Sequence, residues 1–330
     1  MPGARMARVT RFPAGDGRTV ARLLEGDSAV AALTRRDLLG DRPDPAAVLA
    51  SPIVQGLLSG LMEPPASRHP YAKWSGAHWR SVSLVELGLP PGHPTGVAAG
   101  EHLLDHWARP ARLAAVPVIS GRARRCASQE GNAVAVACRL GLHADRRVVT
   151  LVEHLVGWQW PDGGWNCDLR PGAVHSSLHE TLPALWGLHE FGSATGDPAI
   201  GAATGRAAEL LLRHELLYSR GTGRPIDPRF CVPHYPPYWH YDLLQALLVL
   251  QRAGYGGDPR TDRARRLLAG RRRPDGTWRA ARRWWHPPTG RGSGGEAVDW
   301  GDVADQMVTL NALRVGAGRL AAQDGDLERA

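Results

Sequence analysis

The feature that most constrains this 330-residue chain is a helical pattern that recurs five times. Each copy opens on a polar or aromatic residue, continues with apolar residues at helical spacing, and stops at a glycine. The copies are His78–Gly88, Gln129–Gly141, Glu180–Gly192, His240–Gly254 and Asp305–Gly316. Their glycines recur about every 50 to 60 residues, a period that signals stacked supersecondary units. Each glycine suits a C′ position, where left-handed backbone ends a helix and a Cβ would be strained. Second helical segments fill the intervals, at roughly Gly96–His106, Arg146–Trp158, Pro198–Tyr218 and Asp258–Arg272. No period-2 strand run competes. The expectation is an all-α domain of helical hairpins over residues 26–318, with a disordered segment at 1–25 and a tail at 319–330.

The connections add a second signal. Trp158-Gln159-Trp160-Pro161-Asp162-Gly163-Gly164-Trp165 and Arg273-Pro274-Asp275-Gly276-Thr277-Trp278 share a Pro-Asp-Gly-x-Trp turn. Proline and glycine supply the turn dihedrals, and tryptophan packs across neighbouring helices. Gln159-x3-Gly163-x-Trp165 resembles the QW motif of squalene–hopene and oxidosqualene cyclases. The helix–turn–helix unit is similar to the repeats of protein prenyltransferase β subunits. The resemblance covers roughly residues 50 to 316, with one full motif and one in which Arg272 replaces the glutamine. It implies a single-barrel α/α toroid whose inner-helix N-terminal ends surround a cavity. The Asp-x-Asp-Asp motif of squalene–hopene cyclases and the Asp-Cys-Thr-Ala-Glu stretch of oxidosqualene cyclases are both missing, so a triterpene-cyclase mechanism does not follow.

Composition narrows the partners. The net charge of +8 comes from 40 basic residues, mostly arginine, scattered among 32 acidic ones. Without a basic stripe, nucleic-acid binding has little to stand on. The first 25 residues lack an apolar signal core, and no apolar run approaches a membrane span, so a soluble cytoplasmic protein is expected. Cys126, Cys138, Cys167 and Cys231 form no CxxC pair and read as reduced thiols. Twelve tryptophans against six tyrosines and three phenylalanines suggest an aromatic-lined cavity.

If inner-helix starts converge, they bring together Trp74, His78 and Trp79; Gln129 and Glu130; His179 and Glu180; Tyr238, Trp239, His240 and Asp242; and Trp300, Asp302 and Asp305. Glu180, Glu130 and Asp242 are the candidate acids and bases, His240 and His179 the proton relays. The aromatic residues, with His78 and Gln129, would shape a substrate pocket and face developing positive charge. Ordinary structural roles compete at each position. Ser177 and Glu180 fit a capping box, or Thr181 caps with Pro183 in the first turn. Glu130 and Asp242 fall where the helix dipole favours an acid. Cys167, His175, His179, His240 and Asp242 are zinc-ligand types, although the resemblance supplies no Asp-x-Cys pair at an inner-helix start.

These residues favour an enzyme that uses acid–base chemistry, namely cyclisation, isomerisation or elimination, on a partly apolar small molecule, without a cofactor. The alternatives are a carbohydrate-active toroid, a zinc-dependent prenyltransferase-like enzyme drawing on Cys167, His179, His240 and Asp242, and a non-enzymatic binding scaffold. The sequence carries no P-loop, GxGxxG, HExxH or GxSxG motif. Two proline- and glycine-rich segments, 219–237 and 282–301, read as long loops entering inner helices.

Overall fold

The computed structural model describes residues 16–62, 69–281 and 295–316. Among these, fourteen α-helices carry the fold: α1 (Gly17–Leu24), α2 (Ser28–Thr34), α3 (Pro45–Leu49), α4 (Pro52–Met62), α5 (Ala77–Glu86), α6 (Pro94–Trp107), α7 (Pro110–Ala114), α8 (Ala127–Arg139), α9 (Arg146–Trp158), α10 (Leu178–Thr195), α11 (Pro198–Arg213), α12 (Leu243–Arg252), α13 (Asp262–Ala269) and α14 (Val303–Arg314). Among the described residues the only strands are two of two residues each, paired antiparallel, β1 (Val118–Ile119) and β2 (Arg122–Ala123). The protein is all-α, and none of the described helices is long and apolar enough to cross a membrane.

Burial sorts the helices into two kinds. On α9 the buried residues are Val148, Leu151, Val152 and Leu155, one stripe at i, i+3, i+4, i+7. On α8 almost every residue from Ala127 to Ala137 is buried, and on α12 every residue from Leu243 to Leu250. A helix buried all round has neighbours on every side. Accordingly α8 packs on α5, α6, α9 and α10, while α12 packs on α10, α13 and α14. The inner contacts run α5–α8–α10–α12–α14, and α14 packs on α2. The first and last parts of the described helical array therefore meet: Gln306 Oε1 accepts from the Asp27 amide at 2.9 Å.

The glycine stops hold at Gly88, Gly141, Gly254 and Gly316, all with positive φ. The exception is Gly192, which lies inside α10 against Ile200; the left-handed stop is Gly196. A second correction concerns the segment 1–25, expected to be disordered. From Gly17 it forms α1, with Thr19, Val20 and Leu23 buried, while residues 1–15 lie outside the described residues. So do 282–294, which hold Trp284, Trp285 and most of the expected second loop, and the tail at 319–330. The other loop, 219–237, contains a short 3-10 turn at Pro228–Cys231.

The two tryptophan turns share one geometry. Trp165 Nε1 donates to Leu155 O at 2.9 Å and Trp278 Nε1 to Leu268 O at 2.7 Å, ten residues back in each case. Gln159 Nε2 donates to Gly163 O at 2.8 Å; Arg272 Nε donates to Gly276 O at 3.0 Å. Thus arginine reproduces the glutamine's bond. The first turn is clamped on α11 through Gln159 to Ala203 O, and the second on α1 through Thr19 to Gly276 O. α1 thus serves the last turn as α11 serves the earlier one.

Candidate functional site

Of the inner helices, α8 and α10 run side by side because Gly131 and Gly187 let them touch. A Cβ on Gly131 of α8 would lie 2.5 Å from Pro183 O of α10, so no larger residue fits there. This contact sets the start of α8 beside the start of α10. Neither capping arrangement expected for α10 is present. Ser177 occupies the cap position without a side-chain cap bond, and Thr181 Oγ instead bonds Ser177 O and the Trp165 amide. Glu180 reaches across to α8, where its Oε2 accepts from the Ser128 amide at 3.0 Å. One helix's first-turn carboxylate satisfies an amide that the other leaves open.

The segment before α12 completes the gathering. Tyr238, with φ of 48°, Trp239 and His240 lie across the starts of α5 and α10. Tyr238 stacks on Trp74 with ring centroids 5.0 Å apart and meets Trp79 edge-on at 5.4 Å. Trp239 stacks on His240 at 4.0 Å and tilts against His179 at 5.3 Å. His179 Nδ1 accepts from the Tyr241 amide at 3.0 Å, which fixes the segment to α10.

His179, Tyr238, Trp239 and His240 border a cleft of about 680 Å³, its open space included, which also touches Trp186, Tyr235, Tyr241, Asn132 and Val82. It is charged beside the ends of α5 and α12: Arg252 makes paired bonds of 2.9 and 3.0 Å to Glu86. Arg139 and Glu190 continue that network, with Arg139 Nε donating to Glu190 at 2.8 Å. Burial alone would raise the Glu86 carboxyl, but Arg252 and Arg139 outweigh it and hold it down to about 2. Burial, helped by His179, pushes His240 down to about 3, so its imidazole is uncharged at neutral pH. Burial also lowers His179. The Tyr238 phenol is pushed up by burial and by Glu296, and so keeps its proton.

Of the residues expected to form the pocket, His179, Tyr238, Trp239 and His240 line the cleft. Trp74 and Trp79 form a layer with Tyr238, and Trp300 packs edge-on against Tyr235 at 5.2 Å. His78 is fully buried between Tyr71, Trp79 and Trp107, its Nε2 3.5 Å from Asn132. Gln129 accepts from Arg112 at 2.9 Å. Two of the three expected acids have structural duties. Asp242 caps α12 through the Leu244 and Gln245 amides and also accepts from the His234 amide at 2.9 Å. Glu130 is buried in an ion pair with Arg125.

The expected zinc set does not assemble. Asp242 is committed as a cap, His179 Nδ1 to Tyr241, and His175 is exposed. Cys167 instead joins Cys126 and Glu180, and their ligand atoms lie within 4.8 Å of one another. Cys126 holds the cap position of α8 and was not singled out in the sequence, since an isolated cysteine 41 residues before Cys167 carries no spacing signal. The hydrogen bond between the two thiols raises Cys126 and lowers Cys167. No protein-family model and no curated protein matches the chain.

Proposed function

We propose that the helices close into an α/α toroid and that the aromatic cleft is the active site of an enzyme acting on a partly apolar small molecule. The closure is supported by the contact of α14 with α2 and by α1 taking α11's place on the second tryptophan turn. The reading of the cleft rests on one observation. Side chains from α5, α8, α10, α12 and the segment before α12 meet in a single cleft, aromatic beside the helix starts and charged beside the ends of α5 and α12. Such concave, mostly apolar clefts with a few convergent polar groups are the common form of small-molecule sites.

The chemistry assigned to it is proton transfer leading to isomerisation, elimination or cyclisation. Tyr238 and Trp239 hold the apolar part of the substrate, and the Trp239 ring stacked on His240 favours the positive charge that builds on that imidazole. His240 is uncharged and takes a proton from the substrate, returning it to a different atom or to a leaving group. The imidazolium formed is stabilised by the negative charge left on the substrate, so the step is favoured only within the complex. Asp242 and Glu130 are left out, being held by a cap and an ion pair.

A thermal-shift panel of prenyl alcohols and linear oligosaccharides tests this reading. Prenyl alcohols are expected to raise Tm in wild type and to do so much less in Trp239→Ala. A shift with oligosaccharides alone replaces the proposal with a carbohydrate site. No shift with either class, at concentrations well above millimolar, leaves a binding scaffold.

A further inference from the structure

We propose that Cys126, Cys167 and Glu180 bind a zinc ion, leaving a fourth coordination position for water or a substrate atom. The three residues come from different places: the cap position of α8, the tryptophan turn after α9, and the first turn of α10. On tetrahedral zinc, with sulfur at about 2.3 Å and oxygen at about 2.0 Å, neighbouring ligand atoms sit about 3.5 to 3.8 Å apart. Cys167 Sγ lies 3.7 Å from Glu180 Oε1, and all three donor atoms fall within 4.8 Å. Little movement is needed to close them on an ion.

The surroundings already hold the ligands in place. Glu180 Oε2 is fixed by the Ser128 amide, which leaves Oε1 turned towards Cys167. An outer hydrogen bond of this kind orients a ligating carboxylate. Cys167 is carried by a turn that is itself fastened: the Arg125 amide donates to Asn166 O at 3.1 Å, and the Asp168 amide donates to Asn166 Oδ1 at 3.0 Å. Two thiolates with one carboxylate favour zinc over magnesium or calcium, which prefer all-oxygen sites. Three protein ligands are the number found where a metal keeps a position open for chemistry. Among the described residues no other group of three or more such side chains comes as close together. This inference is independent of the reading of the cleft, because it needs no substrate.

The test is elemental analysis of the full chain purified without chelator, followed by cobalt titration of the stripped protein. About one zinc per chain is expected, and cobalt should give the intense visible bands of a tetrahedral thiolate site. Cys126→Ser, Cys167→Ser and Glu180→Gln should each weaken cobalt binding at least tenfold. Cys138→Ser and Cys231→Ser should leave it unchanged. The wild-type titration reads the site even if a variant fails to fold. The proposal is overturned if the reduced chain takes up neither metal, or if all five variants bind alike. A Cys126–Cys167 disulfide in a reduced-then-aerated sample that takes up no metal also overturns it, and identifies a redox pair instead.

Discussion

A Cβ placed on Gly187 would lie 2.4 Å from the carbonyl oxygen of Gly131, so α8 and α10 meet backbone against backbone. That contact keeps Ser128 within reach of Glu180 and the Cys126 thiol near Cys167. The site is therefore built by packing some distance along the helices from the groups that form it.

Gly187→Ala should destabilise the fold by about 1–3 kcal/mol, since the added methyl meets rigid backbone rather than a movable side chain. Gly157 of α9 and Gly201 of α11 have open space around the same position. Alanine at either should stabilise by about 0.5–1 kcal/mol through helix propensity. Urea unfolding of the three variants checks the contrast, and equal effects at Gly187 and Gly157 would refute the close crossing.

What is legible in the sequence follows the range of the interactions. Helix stops at Gly88, Gly141, Gly254 and Gly316 are local signals, and α9 begins at Arg146, where Asp145 caps it through the Arg147 amide. The tryptophan turns are legible because proline, glycine and tryptophan act within a few residues. Gly192 misleads because Ile200 packs on it and α10 runs on to Gly196. α1 is illegible because Thr19 and Asp16 dock on a turn more than 250 residues away. Pairing of Cys126 with Cys167 and Glu180 depends on a helix crossing, and no spacing rule encodes one. The histidines and aromatics of the cleft were legible only as helix starts; Trp186, deeper in α10, carried no such mark.

Asp242 gives a sharper distinction between structure and chemistry. Its two oxygens accept from three backbone amides, those of His234, Leu244 and Gln245. Asp242→Ala should cost about 2–4 kcal/mol, combining a lost cap with a buried unsatisfied amide. Asp242→Asn retains one acceptor and should lose less than half of that. Denaturant midpoints of the two variants decide it; an Asp242→Ala protein as stable as wild type would free this carboxylate for catalysis.

His78 should make the protein acid-sensitive. Its folded pKa is pushed down to about 3, chiefly by burial and further by the neighbouring His106 and His69, against 6.5 when exposed. Above pH 6.5 the residue is neutral in both states and contributes no pH dependence. As pH falls from 6.5 towards 3, the unfolded chain takes up a proton that the folded chain refuses. Stability should then drop by up to about 1.4 kcal/mol per pH unit from this group. His78→Leu should flatten the stability profile between pH 6 and 4 relative to wild type, measured by urea midpoints at each pH. An unchanged slope would show that His78 protonates freely in the native state.

The charged pair that lines the cleft sets a last expectation. Glu86, at the end of α5, pairs through both oxygens with Arg252 at the end of α12, and Arg139 approaches the same carboxylate at 3.7 Å. Removing one partner of such a partly buried pair leaves the other desolvated and unpaired, so Glu86→Ala should destabilise by about 3 kcal/mol. Replacing both partners with leucine removes the stranded charge as well as the attraction, and such exchanges are often neutral. Glu86→Leu combined with Arg252→Leu should therefore recover much of the loss, as measured by a double-mutant cycle. If the single and double variants are equally unstable, the pair is not isolated. Arg139 and Glu190 would then be holding the ends of α5, α8, α10 and α12 together as one network, and all four charges would have to be treated as a unit.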